Sequence, residues 1–393
     1  MKISDTIRYI GTDDLDIDLF ESQYVVPEGM SYNSYVILDE KVAVMDTVDA
    51  RKGAEWKTNL AAALNGRQPD YLVVHHMEPD HASLIAQTVE AYPGLKVVLS
   101  VAAAKMLPNF FEGTDFEGRI LTVKEGDTLC LGQHVLQFIA APMVHWPEVL
   151  MSYEQTEKVL FAADGFGKFG ALCNETDDWA CEARRYYFNI CGKYGAQVQA
   201  VLKKAATLDI RTICPLHGPV LSGDLTPYLS LYDTWSRYEP ESEGVLVAYA
   251  SIHGGTAAAA QKFADMLRAR GAEKVVVSDL SRSDMAEVIE DAFRYPRMVL
   301  AASSYDGGVF PVMHDFLHHL QIKNFQKRRI GIIENGSWAP CAARAMRSIL
   351  DQMKDITLAE PIVTLRSRMK QTDIPAMEAL ADAILGRIAQ IAG

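Results

Sequence analysis

The chain has 393 residues, a length that favours two domains over one. Its formal net charge of −13 argues against a general nucleic-acid binder, and it contains no apolar run long enough to span a bilayer. The N-terminus lacks the apolar centre of a secretory signal. The six cysteines are scattered and form no C-x-x-C pair, which argues against a disulfide framework. Both observations favour a location in the reducing cytoplasm.

The first half of the chain predicts a layered α/β sandwich. Two β-rich runs, SYVILDE and KVAVMDT, meet at Asp39-Glu40 and predict a hairpin. Buried strands are also predicted for YLVVHH, KVVLS, HVLQFIAAP, KVLFAAD and RTICP. Helical patterns lie at about 51–64, 82–91, 179–190 and 224–236.

A domain boundary is predicted in SRYEPESEG, residues 236 to 244, which is polar, acidic and interrupted by a proline. We therefore expect one domain over residues 1–243 and a second over 244–393. In the second, the runs GVLVAYAS, KVVVSDL, PRMVLAASS, RRIGIIEN and DITLAEP predict five strands. Amphipathic helices are predicted between and after them, at 256–270, 283–294, 311–320, 340–353 and 374–391. This alternation indicates a parallel sheet covered on both faces.

One segment of the first half concentrates potential metal ligands. In VVHHMEPDHASL, residues 73 to 84, an apolar strand ends in His76, Glu78, Asp80 and His81. Imidazole suits iron, copper and zinc, and carboxylates favour harder metals such as iron and manganese. The alternative is a solvated loop whose charges are fortuitous.

Three other predicted strands of the same half also end beside a potential ligand. His145 follows HVLQFIAAP, Asp164 ends KVLFAAD, and His217 follows RTICP. A lone histidine is more often structural than a ligand. Strand ends on one side of a sandwich converge, however, so candidates at four of them favour a metal site over four coincidences.

The order H-x-E-x-D-H, then His, Asp and His, resembles the metallo-β-lactamase fold, whose hydrolases normally carry H-x-H-x-D-H. Here Glu78 replaces the second histidine. Together with HWP and LFAADGFG, this form resembles the flavodiiron proteins over essentially the whole chain. The resemblance implies an α/β architecture, in which a metallo-β-lactamase-like αββα sandwich precedes a flavodoxin-like doubly wound parallel sheet.

The resemblance also implies a non-haem site of two irons. The first iron would be held by His76, Glu78 and His145, and the second by Asp80, His81 and His217, with Asp164 bridging both. Glu78 and Asp164 would be the catalytic carboxylates. The position of His81 does not coordinate metal in every family member. His75 should point to the opposite side of its strand and act in packing or behind the ligands.

The second half contains a candidate phosphate loop in YASIHGGTAAAAQKFADML. A helix N-terminus here would bind an anion through Ser251, His253, Gly254, Gly255 and Thr256. The loop resembles the flavodoxin pattern S/T-x-x-G-x-T, although His253 replaces a more usual aromatic residue. The alternative is an ordinary turn with glycines.

Two further loops, in SSYDGGVFP and ENGSWAP, follow the third and fourth predicted strands of this half. Ligands of open α/β sheets bind at such positions, and the matching family loops hold the isoalloxazine ring of FMN. Tyr305 or Trp338 could stack on the ring, although Trp338 could also be a surface aromatic. The candidate FMN contacts in these loops are Ser303, Tyr305, Asp306, Gly307, Gly308, Asn335, Gly336, Ser337 and Trp338. The sequence contains no G-x-G-x-x-G dinucleotide-binding pattern, so direct use of NAD(P)H is not indicated.

The resemblance implies a cytoplasmic enzyme that reduces dioxygen to water, nitric oxide to nitrous oxide, or both, with FMN feeding the two irons. Electrons would come from an external donor such as rubredoxin or a reduced deazaflavin, and neither nucleic acid nor membrane would be a partner. A head-to-tail homodimer, or a dimer of such dimers, would bring flavin and irons together.

Two other classes of function remain open on the sequence alone. One is a zinc hydrolase of the metallo-β-lactamase superfamily joined to a flavodoxin-like module, which would use a metal-activated water. Glu78 argues against it because a carboxylate there favours iron. The other is a gas sensor or electron carrier without catalytic turnover. The preference between the two gases depends on the shape of the pocket.

Overall fold

Two facing six-stranded sheets form most of the N-terminal half in the computed structural model, which describes residues 3–176 and 178–386. The strands are β1 (Ile7–Tyr9), β2 (Thr12–Asp14), β3 (Leu19–Phe20), β4 (Tyr24–Val25), β5 (Met30–Tyr32), β6 (Tyr35–Leu38), β7 (Val42–Met45), β8 (Tyr71–Val73), β9 (Lys96–Ser100), β10 (Ile120–Val123), β11 (Thr128–Cys130), β12 (Val135–Ala140), β13 (Leu150–Glu154), β14 (Val159–Phe161), β15 (Thr212–Cys214) and β16 (Leu221–Ser222). The helices are α1 (Gly53–Leu64), α2 (Pro79–Ala82), α3 (Ile85–Ala91), α4 (Val101–Phe110), α5 (Trp179–Tyr186), α6 (Gly195–Ala205) and α7 (Thr226–Ser236).

The first sheet has the strand order β1-β6-β7-β8-β9-β10, and the second has the order β11-β12-β13-β14-β15-β16. Both sheets mix parallel and antiparallel pairs. Apolar side chains from the two inner faces form one buried cluster, to which Ile37 and Val98 contribute from the first sheet and Phe138 and Phe161 from the second. This shared core fixes the relative positions of the strand ends at which the candidate ligands lie.

A third sheet, almost entirely parallel, forms the C-terminal half. Its strands are β17 (Val245–Ala250), β18 (Val275–Asp279), β19 (Arg297–Tyr305), β20 (Gly308–Val309), β21 (Arg328–Asn335), β22 (Ile356–Leu358) and β23 (Val363–Leu365). The main order is β18-β17-β19-β21-β22, with β20 paired to β19 and β23 paired to β21. The helices are α8 (Gly255–Ala269), α9 (Met285–Arg294), α10 (Pro311–Ile322), α11 (Ala342–Leu350) and α12 (Ile374–Ile384). This strand order is that of flavodoxin-like sheets, in which ligands bind at the carboxyl ends of the strands.

Burial explains why the central strand β17 is apolar along its whole length. In β17, residues on both sides of the strand, such as Leu246 and Val247, are fully buried. One side packs against α8 and α12 through Phe263 and Leu380. A parallel sheet covered by helices has no solvent face and therefore shows no alternation of polar and apolar residues.

The structure confirms the predicted fold class and the hairpin at Asp39-Glu40, which joins antiparallel β6 and β7. Some elements were not predicted, including α4, which contains Pro108, as well as α6 and β13. The predicted helix over 179–190 ends as an α-helix at Tyr186, and a π-helical turn follows over Tyr187–Cys191. The predicted helix over 374–391 is observed as α12, and its residues 387–391 lie outside the described residues.

Contacts divide the chain into two compact units, one of Met1–Tyr187 and Ala196–Asp233 and the other of Phe188–Gly195 and Thr234–Gly393. The predicted boundary between residues 243 and 244 lies ten residues further along the chain. The functional division into residues 1–243 and 244–393 stays a prediction, because the compact units do not show which residues bind which cofactor. Among the described residues, no helix combines the length and apolar character needed to cross a membrane.

Candidate metal centre and flavin loops

The segment between β8 and α3 presents four of the candidate ligands within six residues. β8 ends at Val73, and the chain runs through His76 and Glu78 before α2 begins at Pro79. Proline is favoured at the first helical position because its fixed φ suits the helix and it has no N–H to leave unpaired. The short helix then turns Asp80 and His81 into the interior, where both are buried.

Four side chains form a first cluster whose potential ligand atoms all lie within 4.8 Å of one another: His76, Glu78, His145 and Asp164. Oε2 of Glu78 is 3.1 Å from Nε2 of His76 and 3.0 Å from Nε2 of His145. Oδ2 of Asp164 is 3.4 Å from each of the same two nitrogens. Two imidazoles and two carboxylates therefore point at one small volume.

A second cluster of Asp80, His81 and His217 satisfies the same criterion. Oδ2 of Asp80 is 3.3 Å from Nε2 of His81 and 3.2 Å from Nε2 of His217. The other carboxylate oxygen of Asp164, Oδ1, lies 3.6 Å from Nε2 of His217 and 3.9 Å from Nε2 of His81. Asp164 thus faces the first cluster with one oxygen and the second cluster with the other, which is the geometry of a bridging carboxylate.

Several buried polar atoms in these clusters have no hydrogen-bond partner among the described residues. They include both carboxylate oxygens of Asp80, Oδ2 of Asp164 and Nε2 of His145. In addition, Nε2 of His81 and Nε2 of His217 face each other at 3.0 Å. Buried polar atoms normally have partners, so a group of orphaned atoms converging from several strand ends fits a pair of bound cations.

The pKa shifts in the first cluster also indicate a place that favours positive charge. Burial alone lowers the pKa of His76, but the charge of Asp164 and hydrogen bonds to Glu148 and Glu78 outweigh it and hold the pKa well above its usual value. Burial also lowers the pKa of His145, yet the nearby carboxylates of Asp164 and Glu78 raise it to about 9. Burial raises the pKa of Glu78 and Asp164, but the histidines lower both well below the usual range. The directions of these shifts mean that the carboxylates favour positive charge at this place. A bound metal would supply that charge instead of protons, because ligating histidines are neutral.

Glu148, which the sequence analysis did not single out, fixes the first cluster from behind. It is 2% exposed, and its Oε1 accepts a hydrogen bond from Nδ1 of His76 at 2.8 Å and another from the backbone N–H of Met77 at 2.9 Å. The contact orients the His76 ring so that Nε2 faces the cluster. The only signal in the sequence is an acidic residue three positions after His145, in HWPE.

Ser31, Thr47 and Asp46, which lie on or next to β5 and β7, form hydrogen bonds with three histidines at or beside the clusters. His217 is oriented by its Nδ1–H, which donates to the backbone carbonyl of Ser31 at 2.7 Å. Both the backbone N–H and the hydroxyl of Thr47 bond to the carbonyl of His81, at 3.0 Å and 2.6 Å. The His75 ring points away from both clusters, with Nδ1 at 2.5 Å from Oδ2 of Asp46, as its place on the strand predicts.

The β3–β4 hairpin covers part of the centre. The Phe20 ring packs edge-on against the His217 ring at a centroid distance of 5.4 Å. The Glu21 side chain is exposed in the turn, but the protein on its inner side partly desolvates it, and this effect together with the adjacent carboxylate of Glu78 raises its pKa to about 7. Tyr186, on α5, donates its hydroxyl to Oδ1 of Asp164 at 3.1 Å. The centre is therefore enclosed by aromatic rings and lined by carboxylates.

The three loops predicted to hold a flavin meet at the carboxyl ends of β17, β19 and β21. The Thr256 and Ser303 hydroxyls are 2.9 Å apart, and Nδ2 of Asn335 donates to the Thr256 hydroxyl at 3.2 Å. Gly254 caps α8 with φ of 84°, a conformation that favours glycine, and its N–H donates to Ser251 at 3.1 Å. One residue from each loop thus contributes to a single polar contact set at the N-terminus of α8.

Apolar side chains protrude from the same three loops. Trp338 is 87% exposed, and Tyr305 and Ile252 are exposed as well. The remaining candidates from the sequence analysis, His253, Gly255, Asp306, Gly307, Gly308, Gly336 and Ser337, lie in these loops or at their ends. Exposed aromatic rings above a polar, glycine-rich floor form the kind of surface that receives a flat ring with a phosphate tail.

Comparison with known proteins gives consistent matches over the whole chain. A family model described as ODP family beta lactamase matches residues 30–218. The putative diflavin flavoprotein A 2 of Synechocystis sp. is 31% identical over 94% of this chain, although the chain spans only 64% of that relative's length. The nitric oxide reductase of Moorella thermoacetica is 29% identical over 99% of both chains. Among solved structures, the flavodiiron protein from Giardia intestinalis is 25% identical, has a TM-score of 0.89, and is matched over 97% of this chain and 95% of its own.

Proposed function

Because this chain belongs to the flavodiiron proteins, we propose that it reduces dioxygen to water, nitric oxide to nitrous oxide, or both, at a pair of irons that receive electrons through FMN. The observation that carries the proposal is the position of Asp164. Its two oxygens face two separate clusters, each with two imidazoles and a carboxylate of its own. Such an arrangement would hold two metals side by side, and open coordination positions on them would supply the site for a small gas.

We assign His76, Glu78 and His145 to the first iron, Asp80, His81 and His217 to the second, and Asp164 to both. The orphaned atoms of Asp80 and Asp164 and the facing histidine nitrogens support this assignment. The mixture of carboxylates and imidazoles favours iron over zinc. The hydrolase alternative is not favoured, because the relatives and the structural neighbours are named as reductases or flavodiiron proteins.

The roles of the protein's own residues follow from their contacts. Glu148 and the Ser31 carbonyl orient His76 and His217, and Tyr186 fixes Asp164. Phe20 and the hairpin that carries it exclude water from one side of the centre. When bound, the irons supply the open coordination positions and FMN supplies the electrons.

We propose that FMN binds across the three loops of the second unit. Its phosphate would lie at the N-terminus of α8, against Ser251, His253, Gly254, Gly255 and Thr256. Its ring would lie against the loops of residues 303–308 and 335–338, with Tyr305 or Trp338 stacked on it. The functional division that we propose is 1–243 for the diiron domain and 244–393 for the FMN domain.

We also propose a head-to-tail homodimer in which the flavin loops of one subunit face the metal centre of its partner. Two described surfaces support it. The first, here called the hairpin cover, is residues 15–28, with exposed apolar Leu15, Leu19 and Val25 and exposed acidic Asp16, Asp18, Glu21 and Glu28. The second, here called the basic segment, is residues 366–370, with exposed Arg366, Arg368 and Lys370. Arg366 donates to the carbonyl of the exposed Trp338 at 3.2 Å, so the basic segment adjoins a flavin loop. Opposite charges around apolar centres favour a specific interface.

Complementation between inactive variants tests this arrangement. Asp164→Ala removes the metal bridge, and Gly254→Arg blocks the flavin loop. After the subunits exchange, a mixed dimer holds one intact flavin site and one intact iron site on different chains. Transfer between chains should restore about a quarter of wild-type activity, because half of the dimers are mixed and one site pair works in each. An inactive mixture, with exchange confirmed by mass, would overturn the head-to-tail dimer.

The donor and the location are further proposals. A separate one- or two-electron donor, such as rubredoxin or a reduced deazaflavin, would deliver electrons to the FMN. All six cysteines are free, which suits a cytoplasmic location. The function itself is tested by measuring metal and flavin content, reducing the protein anaerobically, and then measuring turnover with each gas supplied separately. Two tightly held zincs without flavin would overturn it.

A further inference from the structure

The two metal positions have matching direct ligands. Each offers two imidazoles, one carboxylate of its own and one oxygen of Asp164. With equal inner shells, a difference between the two positions must come from the groups behind the ligands. Such groups tune a metal by making its ligands stronger or weaker donors.

Behind the first position, the ring of His76 is backed by a carboxylate. Nδ1 of His76 lies 2.8 Å from Oε1 of Glu148, and the carboxylate is fully enclosed by protein. An Nδ1–H that donates to a buried carboxylate gives the ring partial imidazolate character, and Nε2 becomes a stronger donor.

Behind the second position, the backing is neutral. Nδ1 of His217 donates to the backbone carbonyl of Ser31, and Nδ1 of His81 has no hydrogen-bond partner among the described residues. The buried carboxylate of Asp46 lies on the same side, but both of its oxygens are engaged by His75. No carboxylate is therefore hydrogen-bonded to the rings of His81 or His217 from behind within the described part of the chain.

Resting on the proposed function, we propose that Glu148 makes the two iron positions unequal. When the pair holds one ferric and one ferrous ion, the ferric ion occupies the position of His76, Glu78 and His145. The ferrous ion occupies the position of Asp80, His81 and His217. A one-electron acceptor, such as a mediator dye in a redox titration, would thus take its electron from the first iron of the diferrous pair and leave the second iron ferrous. Glu148 is a positioning residue that acts through His76, since extra negative charge behind a ligand favours the higher oxidation state of the metal.

Glu148→Gln tests this inference, because the amide keeps the shape of the side chain and removes its charge. The reduction potential that links the one-electron-oxidised state to the diferrous state should rise by about 59 to 118 mV. This shift corresponds to a 10- to 100-fold loss of preference for the ferric ion. In 57Fe Mössbauer spectra of the mixed-valent protein, the ferric doublet should change and the ferrous doublet should not. Glu125→Gln is the charge-matched control, since Glu125 is exposed and pairs with Lys204. A Glu148→Gln shift confined to the other redox step or to the ferrous doublet, or no shift at all, overturns the inference.

Tyr32→Phe is the mirror variant and tests where the ferric and ferrous ions lie even if Glu148→Gln fails to hold iron. The Tyr32 ring packs edge-on against the rings of His81 and His217, at 6.3 Å and 5.9 Å, and Arg51 donates to its hydroxyl at 2.8 Å. Tyr32→Phe should change the ferrous doublet and leave the ferric doublet as it is. The opposite result overturns the inference. Two irons per chain with no turnover would refute the proposed function alone, since neither spectrum requires turnover.

Discussion

Asp46 and His75 are joined twice inside the sandwich, since the Asp46 carboxylate accepts the backbone N–H of His75 at 2.7 Å and its ring Nδ1–H at 2.5 Å. The other ring nitrogen accepts the Ser152 hydroxyl at 2.7 Å, and all three residues are buried. This chain of contacts runs from β7 through the end of β8 to β13, so it ties the two sheets together one residue before His76.

Asp46→Ala should therefore lower the free energy of unfolding by about 1–3 kcal/mol, because it leaves two buried donors unpaired. It should also lower iron content, since the backbone of His75 adjoins His76. Urea unfolding and iron analysis measure the two effects. Glu112→Gln, which removes an exposed carboxylate from the same domain, is the control and should change neither quantity. Wild-type stability and full iron content in Asp46→Ala would contradict this role.

Asp164→Ala should cost more activity and more bound iron than His81→Ala. A bridging carboxylate sets the separation of both metals, whereas His81 touches at most one of them and water can take its place. Iron per chain and anaerobic gas consumption are the measurements. Comparable losses of activity, with both variants retaining all their metal, would argue against the ranking.

Substitution in the phosphate loop should release FMN and leave the irons bound. Thr256→Val removes a hydroxyl that contacts both Ser303 and Asn335, and Gly254→Arg places a large side chain at a φ that favours glycine. Flavin absorbance and iron content of the purified variants provide the readout, with the exposed Ser281→Ala as the control. Loss of iron together with the flavin would show that the two domains do not act independently.

His134 should make stability depend on pH. Burial alone lowers the pKa of His134, but hydrogen bonds to Glu157 and Asp39 outweigh it and raise the pKa above about 6.5, its usual value. The Thr6 hydroxyl and the Glu154 charge also face the ring. Because the folded pKa is the higher one, the stabilisation is fully present below about pH 6.5 and is lost as pH rises through the folded pKa.

The difference in unfolding free energy between wild type and His134→Gln should therefore be largest between about pH 4.5 and 6.5 and should shrink toward alkaline pH. Below that window it should shrink again, because the lowered pKa values of Asp39 and Glu157 mean that their contribution is lost as they take up protons. Urea midpoints over this pH range measure the difference. His318→Gln, at an exposed helix position, should show no such profile. A difference that stays constant across pH would count against the charged contact.

The sequence predicted the fold class because each half has its own pattern. Alternating strands and helices after residue 244 require a covered parallel sheet, and the structure confirms one of flavodoxin-like order. The candidate ligands were found because they follow buried strands, and strands of a shared core converge at their ends. The structure brings them together in two clusters, while their binding of iron stays a prediction.

Residues that contact the candidate ligands without being ligands themselves could not be found in this way. Glu148 contacts a ring 72 residues earlier in the chain, and only the packing of β8 against β13 makes that contact possible. Glu21 reaches Glu78 because the β3–β4 hairpin folds over the centre. The helix α4 was missed because Pro108 and several exposed residues conceal its periodicity. The roles of Glu148 and Glu21 depend on tertiary contacts that no local pattern encodes, whereas α4 was missed because of its own local sequence.

The most direct test of the central claim is turnover with each gas, started from anaerobically reduced protein of known cofactor content. Purified protein, expressed with iron supplied, should hold about two irons and one FMN per chain and little zinc. After reduction by an external donor, it should consume dioxygen or nitric oxide through many cycles, and Asp164→Ala should not. Protein that holds two zincs and no flavin, or that holds iron and FMN yet reacts with each gas only once, would contradict the account.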